Sequence, residues 1–255
     1  MYEQIIYQQQ GEVALIRFNR PQEHNAISQK MVLEMEDAIL KIEKDTSVRC
    51  VIITGGSKVF SIGGDIAFMA DANKELANSY IEDCQRALCR IEESGKPYLA
   101  AVNGVALGGG LELALACDIR IANVKSRFGA PEIDLGIFPG CGGTQRLARA
   151  VGNGWAKYMI FTGKNINAQK AEEKGLIQFI TEDNALDEAL KLANRLALKS
   201  PDALQAAKHC MNYNIQEELP EALKNEKETW VGLFETENQQ EGMHAFLEKR
   251  KPEFK

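Results

Sequence analysis

Two glutamates and two runs of glycine are the parts of this sequence best equipped for chemistry. Glu112 sits in GGGLELALAC and Glu132 in FGAPEIDLG, each an ionisable residue in an apolar or small-residue context. A carboxylate in such a place must find partners or do work, because burying an unpaired charge is costly. At Glu112 a helix N-terminus favours the charged form and burial favours the neutral one, so its pKa is open to tuning. Two carboxyls that share a pocket can serve as base and acid. A semi-buried glutamate in a first helical turn is more often a cap or an ion-pair member, and sequence alone does not show that these two meet.

The glycines follow apolar stretches directly, at Ile62-Gly63-Gly64-Asp65 and at Gly108-Gly109-Gly110. Glycine lets a reacting oxygen approach the main chain, and a helix starting near Gly109 aims unpaired N–H groups at whatever docks there. Two N–H groups from separate turns could form an oxyanion hole. Taken alone, glycines so placed more often serve tight turns and close helix–strand packing. Neither run fits GxxxxGK[ST] or GxGxxG, which argues against a nucleotide loop. The histidines, His24, His209 and His244, stand beside no glycine elbow, and no Ser or Cys lies in a GxSxG setting. A nucleophilic triad is therefore poorly supported.

The elements that must position these groups alternate. Residues 2–9 and Val13–Phe18 read as a hairpin. Ser28 can cap a helix with Met31, Met35, Ala38, Ile39 and Ile42 on its buried face and Glu34, Lys41 and Lys44 toward water. Cys50–Thr54 reads as a strand buried on both faces, 71–93 as a helix, Tyr98–Val102 as a strand, Leu111–Cys117 as a helix and Ile119–Val124 as a strand. From about Gly140 the pattern turns helical, over 142–151, 153–162, 168–174, 184–199, 202–213, 219–236 and 240–250, with one strand at Ile177–Thr181. The expected division is an α/β core over 1–195 and a helical C-terminal region over 196–255. Trp230 and Phe234, one helical turn apart, suit a core or a subunit interface.

Composition narrows the function classes. The chain has 255 residues, 45% hydrophobic and 26% charged, with a net charge of −6, which fits an ordinary globular protein and disfavours general nucleic-acid binding. Its six cysteines form no CxxC pair, so a zinc site or redox pair is not indicated and reduced thiols are expected. The first residues carry no basic segment leading into an apolar signal core, and no stretch approaches the ~20 apolar residues of a membrane span. A cytoplasmic protein is the default expectation.

The segments NRPQEHNAIS (19–28), VFSIGGDIAFM (59–69), AAVNGVALGGGLELALACDIRIA (100–122), FGAPEIDLGIFPGCGGTQRLARAVG (128–152) and EGMHAFLEKRKPEF (241–254) resemble the crotonase superfamily, most of all its enoyl-CoA hydratases. The resemblance runs nearly end to end and is most specific over 100–152. It implies an α/β fold, a crotonase-like spiral of ββα units, with a C-terminal helical region that drives association into a homotrimer or a dimer of trimers. It also implies an acyl-CoA substrate whose thioester carbonyl accepts hydrogen bonds from the N–H groups of Gly64 and Gly109. Glu112 and Glu132 would hold one water between them, adding it across a trans-2 double bond while the enolate is held in the oxyanion hole. CoA would lie along the main chain of Ala26 and of Ile62, Gly63, Gly64, Asp65 and Ile66, with Lys249, from the same or a neighbouring subunit, near its phosphates. The resemblance calls for no metal or redox cofactor and no nucleic-acid or membrane partner. Keeping both glutamates favours hydration over isomerisation or specialised lyase chemistry, and over a noncatalytic scaffold or RNA-binding role. Ile62 and Gly64 depart from the usual Ala-Gly-Ala-Asp of this superfamily.

Overall fold

The computed structural model describes residues 2–213 and 218–255. In chain order the elements begin with β1 (Ile5–Gln10), β2 (Val13–Phe18), α1 (Gln29–Lys44), β3 (Cys50–Thr54), α2 (Ile66–Ala70), α3 (Lys74–Glu93), β4 (Tyr98–Val102) and β5 (Val105–Leu107). There follow α4 (Gly109–Ala116), β6 (Ile119–Asn123), β7 (Arg127–Gly129), a 3-10 turn at Pro131–Leu135, α5 (Gly143–Val151), α6 (Asn153–Thr162) and β8 (Ile166–Asn167). The chain continues through α7 (Ala168–Glu173), β9 (Phe179–Thr181), α8 (Ala185–Ala197), α9 (Pro201–Tyr213), α10 (Leu219–Gly232) and α11 (Glu237–Leu247).

A six-stranded sheet in the order β1-β2-β3-β4-β6-β9 carries the core, parallel throughout except for the antiparallel β1–β2 hairpin. Alternate residues of its strands point to opposite faces. Ala14, Ile16, Val51, Ile53, Ala100 and Val102 pack toward α1, α3 and α4, whereas Val13, Leu15, Cys50, Ile52, Leu99 and Ala101 pack under α8. Helix α8 comes close because its buried stripe is alanine, Ala185, Ala189 and Ala193. Two covered faces explain why Cys50–Thr54 is an unbroken apolar run.

After β2, β3, β4 and β6 the chain adds a short extended piece to a second layer before entering a helix. Ile27 bridges Gly64, Ser61 bridges Ala106, and β5 pairs with β7, which pairs with β8. Successive turns of this ββα spiral therefore stack their strand-to-helix junctions side by side. The second layer escapes a periodicity reading because its strands have two or three residues.

The helix expected over 71–93 forms as α3 from Lys74, where the Asn73 side chain caps it by accepting the Leu76 N–H at 2.9 Å. One local expectation needs correction. Glu34 does not simply face water; its carboxylate accepts the main-chain N–H groups of Glu3, Gln4 and Ile5 at 2.7–3.2 Å, tying the N-terminal strand to α1. Trp230 and Phe234 stack with ring centroids 4.7 Å apart yet are 57% and 47% exposed, so they are not core within the chain.

Ser28 caps α1 as expected, its hydroxyl oxygen accepting the Met31 N–H at 3.1 Å while the O–H donates to Gln4. Replacing Ser28 with Ala should cost about 1 kcal/mol, visible as a lowered denaturation midpoint. An unchanged midpoint would show that this cap contributes nothing to stability.

Candidate active site

The spiral brings its second and third junctions into main-chain contact. Gly63 has φ +104°, and a Cβ there would stand 3.0 Å from the Leu107 carbonyl oxygen. Gly108 has φ +51°, and a Cβ there would stand 3.2 Å from Glu132 Oε1 and 3.6 Å from the Gly63 Cα. Only glycine combines this backbone geometry with so close an approach. Ser61 and Asn25 fix the second junction from behind. Ser61 Oγ donates to the Asn25 carbonyl at 2.8 Å and accepts the Gly63 N–H at 3.1 Å, while the Asn25 amide donates to the Gly55, Val59 and Phe60 carbonyls.

Gly64 and Gly109 both line the resulting crevice. A Cβ built on Gly109 would lie 3.6 Å from the Gly64 nitrogen and 3.9 Å from Glu112 Oε2, which sets the two junctions and the carboxyl side by side. No protein acceptor takes either N–H among the described residues. Gly109 is the first residue of α4, where an unpaired N–H is inherent to the helix start.

Glu112, one turn into α4, is 3% exposed. Its Oε1 accepts the N–H groups of Cys141 and Gly143, each at 2.7 Å, from the loop that leads into α5. Burial pushes its pKa up, and the two N–H groups and the nearby Arg146 charge pull the other way. Glu132 comes from the 3-10 turn after β7 and has no comparable support. Its Oε2 is buried without a hydrogen-bond partner, and burial, with a further rise from the Glu112 charge, carries its pKa to about 7 against a partial offset from its own main-chain N–H.

A cavity of about 90 Å³ opens here, lined by Ile62, Gly63, Gly64, Ile66, Gly108, Gly109, Glu112 and Glu132, with Tyr80 and Cys141 among its other walls. Ala26 and Asp65 flank it. Arg20 Nη1 donates to the Ala26 carbonyl at 2.6 Å and to Asp65 Oδ2 at 3.0 Å, and the Ile27 N–H donates to the Gly63 carbonyl at 2.8 Å. Asp65 thus serves as the ion-pair partner that holds 26–27 alongside 62–65. Ile62 is 41% exposed at the rim. The space where Gly64 would carry a methyl group is taken by the Met69 Cε and the Tyr80 hydroxyl, 2.9 and 3.2 Å from a Cβ there.

Lys249 is not brought to this cavity. It lies exposed beyond α11, and the chain that follows runs to the start of β3, where the Phe254 carbonyl accepts from Arg49 at 3.3 Å. That is the end of the sheet opposite the glycine junctions. A larger cavity of about 580 Å³ separates the C-terminal end of α3 from α9 and α10, but none of the expected site residues lines it. Among the described residues no group of three or more His, Cys, Asp or Glu is placed to hold a metal ion, and no helix is long and apolar enough to cross a membrane. The described cysteines are all free.

Several contributors carried no sequence signal of their own. The N–H donors of Cys141 and Gly143 lie in a glycine-rich stretch, GCGG, that could have been singled out as another main-chain donor loop. Tyr80, whose hydroxyl donates to the Ile27 carbonyl at 2.8 Å, and the Arg20–Asp65 pair depend on contacts 45 or more residues apart.

Comparison with known proteins identifies the family. The enoyl-CoA hydratase/isomerase family model matches residues 8–255. The chain is 43% identical over 251 residues to a short-chain-enoyl-CoA hydratase of Clostridium acetobutylicum, covering 98% of this chain and 96% of the relative. It is 42% identical over 255 residues to a crotonyl-CoA hydratase of Syntrophomonas wolfei, covering 99% and 98%. The crystal structure of an enoyl-CoA hydratase from Bacillus anthracis superposes with a TM-score of 0.95 at 36% identity, covering 99% of each chain. The chain belongs to the enoyl-CoA hydratase/isomerase family and has its crotonase fold.

Proposed function

We propose that this chain reversibly adds water across the trans-2 double bond of a short-chain enoyl-CoA, giving the 3-hydroxyacyl-CoA. The observation that carries this is one small cavity holding two carboxyls, only one of them held by loop N–H groups, beside two unpaired main-chain N–H groups. The thioester carbonyl accepts from Gly64 and Gly109, whose hydrogen bonds strengthen as negative charge builds on that oxygen. Glu112 has the hydrogen bonds that favour a carboxylate, so it is the base. Its Oε2 takes a proton from water as the water oxygen bonds to the β-carbon. Glu132, partly protonated near neutrality, gives its proton to the α-carbon as the enolate collapses. Passing one proton from Glu112 back to Glu132, directly or through solvent, restores both groups. The names of the relatives support a four-carbon or similarly short acyl group.

The same proposal has CoA along the main chain of Ala26 and Ile62–Ile66, a segment held in place by Arg20 and Asp65. Lys249 would reach the phosphates from a neighbouring subunit, since its own chain carries it to the opposite end of the sheet. A trimer or dimer of trimers fits the exposed apolar side chains at the cavity rim, Leu135, Ile137 and Phe138, and on the C-terminal helices, Trp230 and Phe234. We place the division between the spiral core and this helical region near residue 195, just before the end of α8. The chemistry needs no metal or redox group, and a cytoplasmic setting suits it.

Purified protein mixed with crotonyl-CoA should remove the conjugated thioester absorbance and yield a product heavier by one water. A product of unchanged mass would mean isomerisation, and no reaction at any chain length would overturn the proposal. Glu112→Gln and Glu132→Gln should each lower turnover at least ~100-fold while CoA-ester binding persists. Near-normal turnover in either would remove that residue from its role.

Glu132 should also reveal itself in stability. Its folded-state pKa of about 7 lies above the ordinary 4.5, so the folded chain binds more protons between those values and loses stability as pH rises through that window. Glu132→Gln should therefore denature at a higher temperature than the parent above pH 7, and the difference should close below about pH 4.5. A constant difference across that range would contradict the raised pKa.

A further inference from the structure

Arg146, on the first turn of α5, is linked to Glu112 through the Cys141–Gly143 loop. Its Nη1 donates to the Cys141 carbonyl at 3.0 Å, while the N–H groups of Cys141 and Gly143 donate to Glu112 Oε1. The guanidinium is in turn anchored on α3, with Nε and Nη2 donating to Glu92 Oε2 at 3.1 and 2.8 Å and Nη2 to Cys89 Sγ at 3.7 Å. The Arg146 side chain is 9% exposed, so its charge is poorly screened. It also lies across Gly142, where a Cβ would come within 2.2 Å of Nη1. A side chain at 142 would displace the guanidinium from this position.

We propose that Arg146 is a positioning residue for the hydration step: it fixes the loop whose two N–H groups hold Glu112, and it sets its own charge behind that loop. This rests on the base role given to Glu112 above. A carboxylate held by two N–H groups at 2.7 Å depends on the loop staying in register, and displacement by about 1 Å of a catalytic group can cost ~100-fold in rate. The groups around Glu112 come from several elements: Tyr80 and Cys84 on α3, Glu132 on the 3-10 turn, Cys141 in the loop and Arg146 on α5. Of these Arg146 is the cation. Glu92 partly neutralises it from the far side, which gives the two partners opposite electrostatic effects on Glu112.

The test is the pH dependence of kcat/KM for crotonyl-CoA in Arg146→Ala, Arg146→Lys and Glu92→Gln. Arg146→Ala should lower kcat at least ~10-fold with KM within about twofold, and move the acid limb up by roughly half a pH unit or more. Arg146→Lys should return the limb toward the parent without restoring kcat fully, because an ammonium keeps the charge but lacks the planar fork. Glu92→Gln keeps the cation and removes its counter-charge, so the limb should move down. Superimposable profiles for Arg146→Ala and the parent, or limbs displaced the same way in Arg146→Ala and Glu92→Gln, would overturn the proposal. If Arg146→Ala does not fold, the lysine and Glu92 variants carry the test. If the parent leaves crotonyl-CoA unchanged, the hydratase assignment falls separately. Infrared titration of the Glu112 carboxyl, taken as parent minus Glu112→Gln, then reads the same shifts without turnover.

Discussion

The close approach of two main-chain turns, Gly63-Gly64 against Gly108-Gly109, is the constraint on which the rest of the site depends. A side chain at Gly63 would collide with the Leu107 carbonyl, and one at Gly108 would press on Glu132. Because both turns sit at strand-to-helix junctions of adjacent spiral turns, they line one crevice with main chain, and no side chain has to deliver a donor there. Main-chain donors on packed elements cannot rotate away as a charge develops, which is what preorganised stabilisation of an enolate oxygen requires. The ββα repeat gives the site its order: Gly64 enters from the second junction, Gly109 and Glu112 from the third, and Glu132 from the fourth.

Chemistry then follows from asymmetry between two carboxyls a short distance apart. Both are desolvated, and the Glu112 charge raises the cost of ionising Glu132. The GCGG loop resolves the competition by donating two N–H groups to Glu112 and none to Glu132. Glu112 is thus the better supported as an acceptor, while burial carries the Glu132 pKa to about 7.

Much of this was legible in the residues. The apolar runs at Cys50–Thr54 and Tyr98–Val102, the Ser28 cap and the late helices fall where their patterns place them, since period and capping are local properties. The glycine runs and the two isolated glutamates also marked themselves, and the resemblance of residues 100–152 to enoyl-CoA hydratases supplied their roles. What stayed hidden is nonlocal. The second layer rests on strands of two or three residues, too short for any period. Arg20–Asp65, Tyr80–Ile27 and Arg146–Glu92 join residues 45 to 54 apart, and nothing in either member of each pair names its partner. Lys249 is nonlocal in the same way: its own chain carries it away from the glycine junctions, and the place proposed for it depends on a neighbouring subunit.

The central claim is that a bound thioester carbonyl lies between the Gly64 and Gly109 N–H groups. Infrared difference spectroscopy of crotonyl-CoA carrying a 13C label at that carbonyl, bound to the slow Glu112→Gln protein, tests it most directly. Two preorganised donors in a desolvated site should lower the carbonyl stretch below its value in water, as the C=O bond is polarised toward the enolate. A stretch at or above the aqueous value would mean that the carbonyl sits outside the glycine junctions, and the proposed source of enolate stabilisation would be wrong.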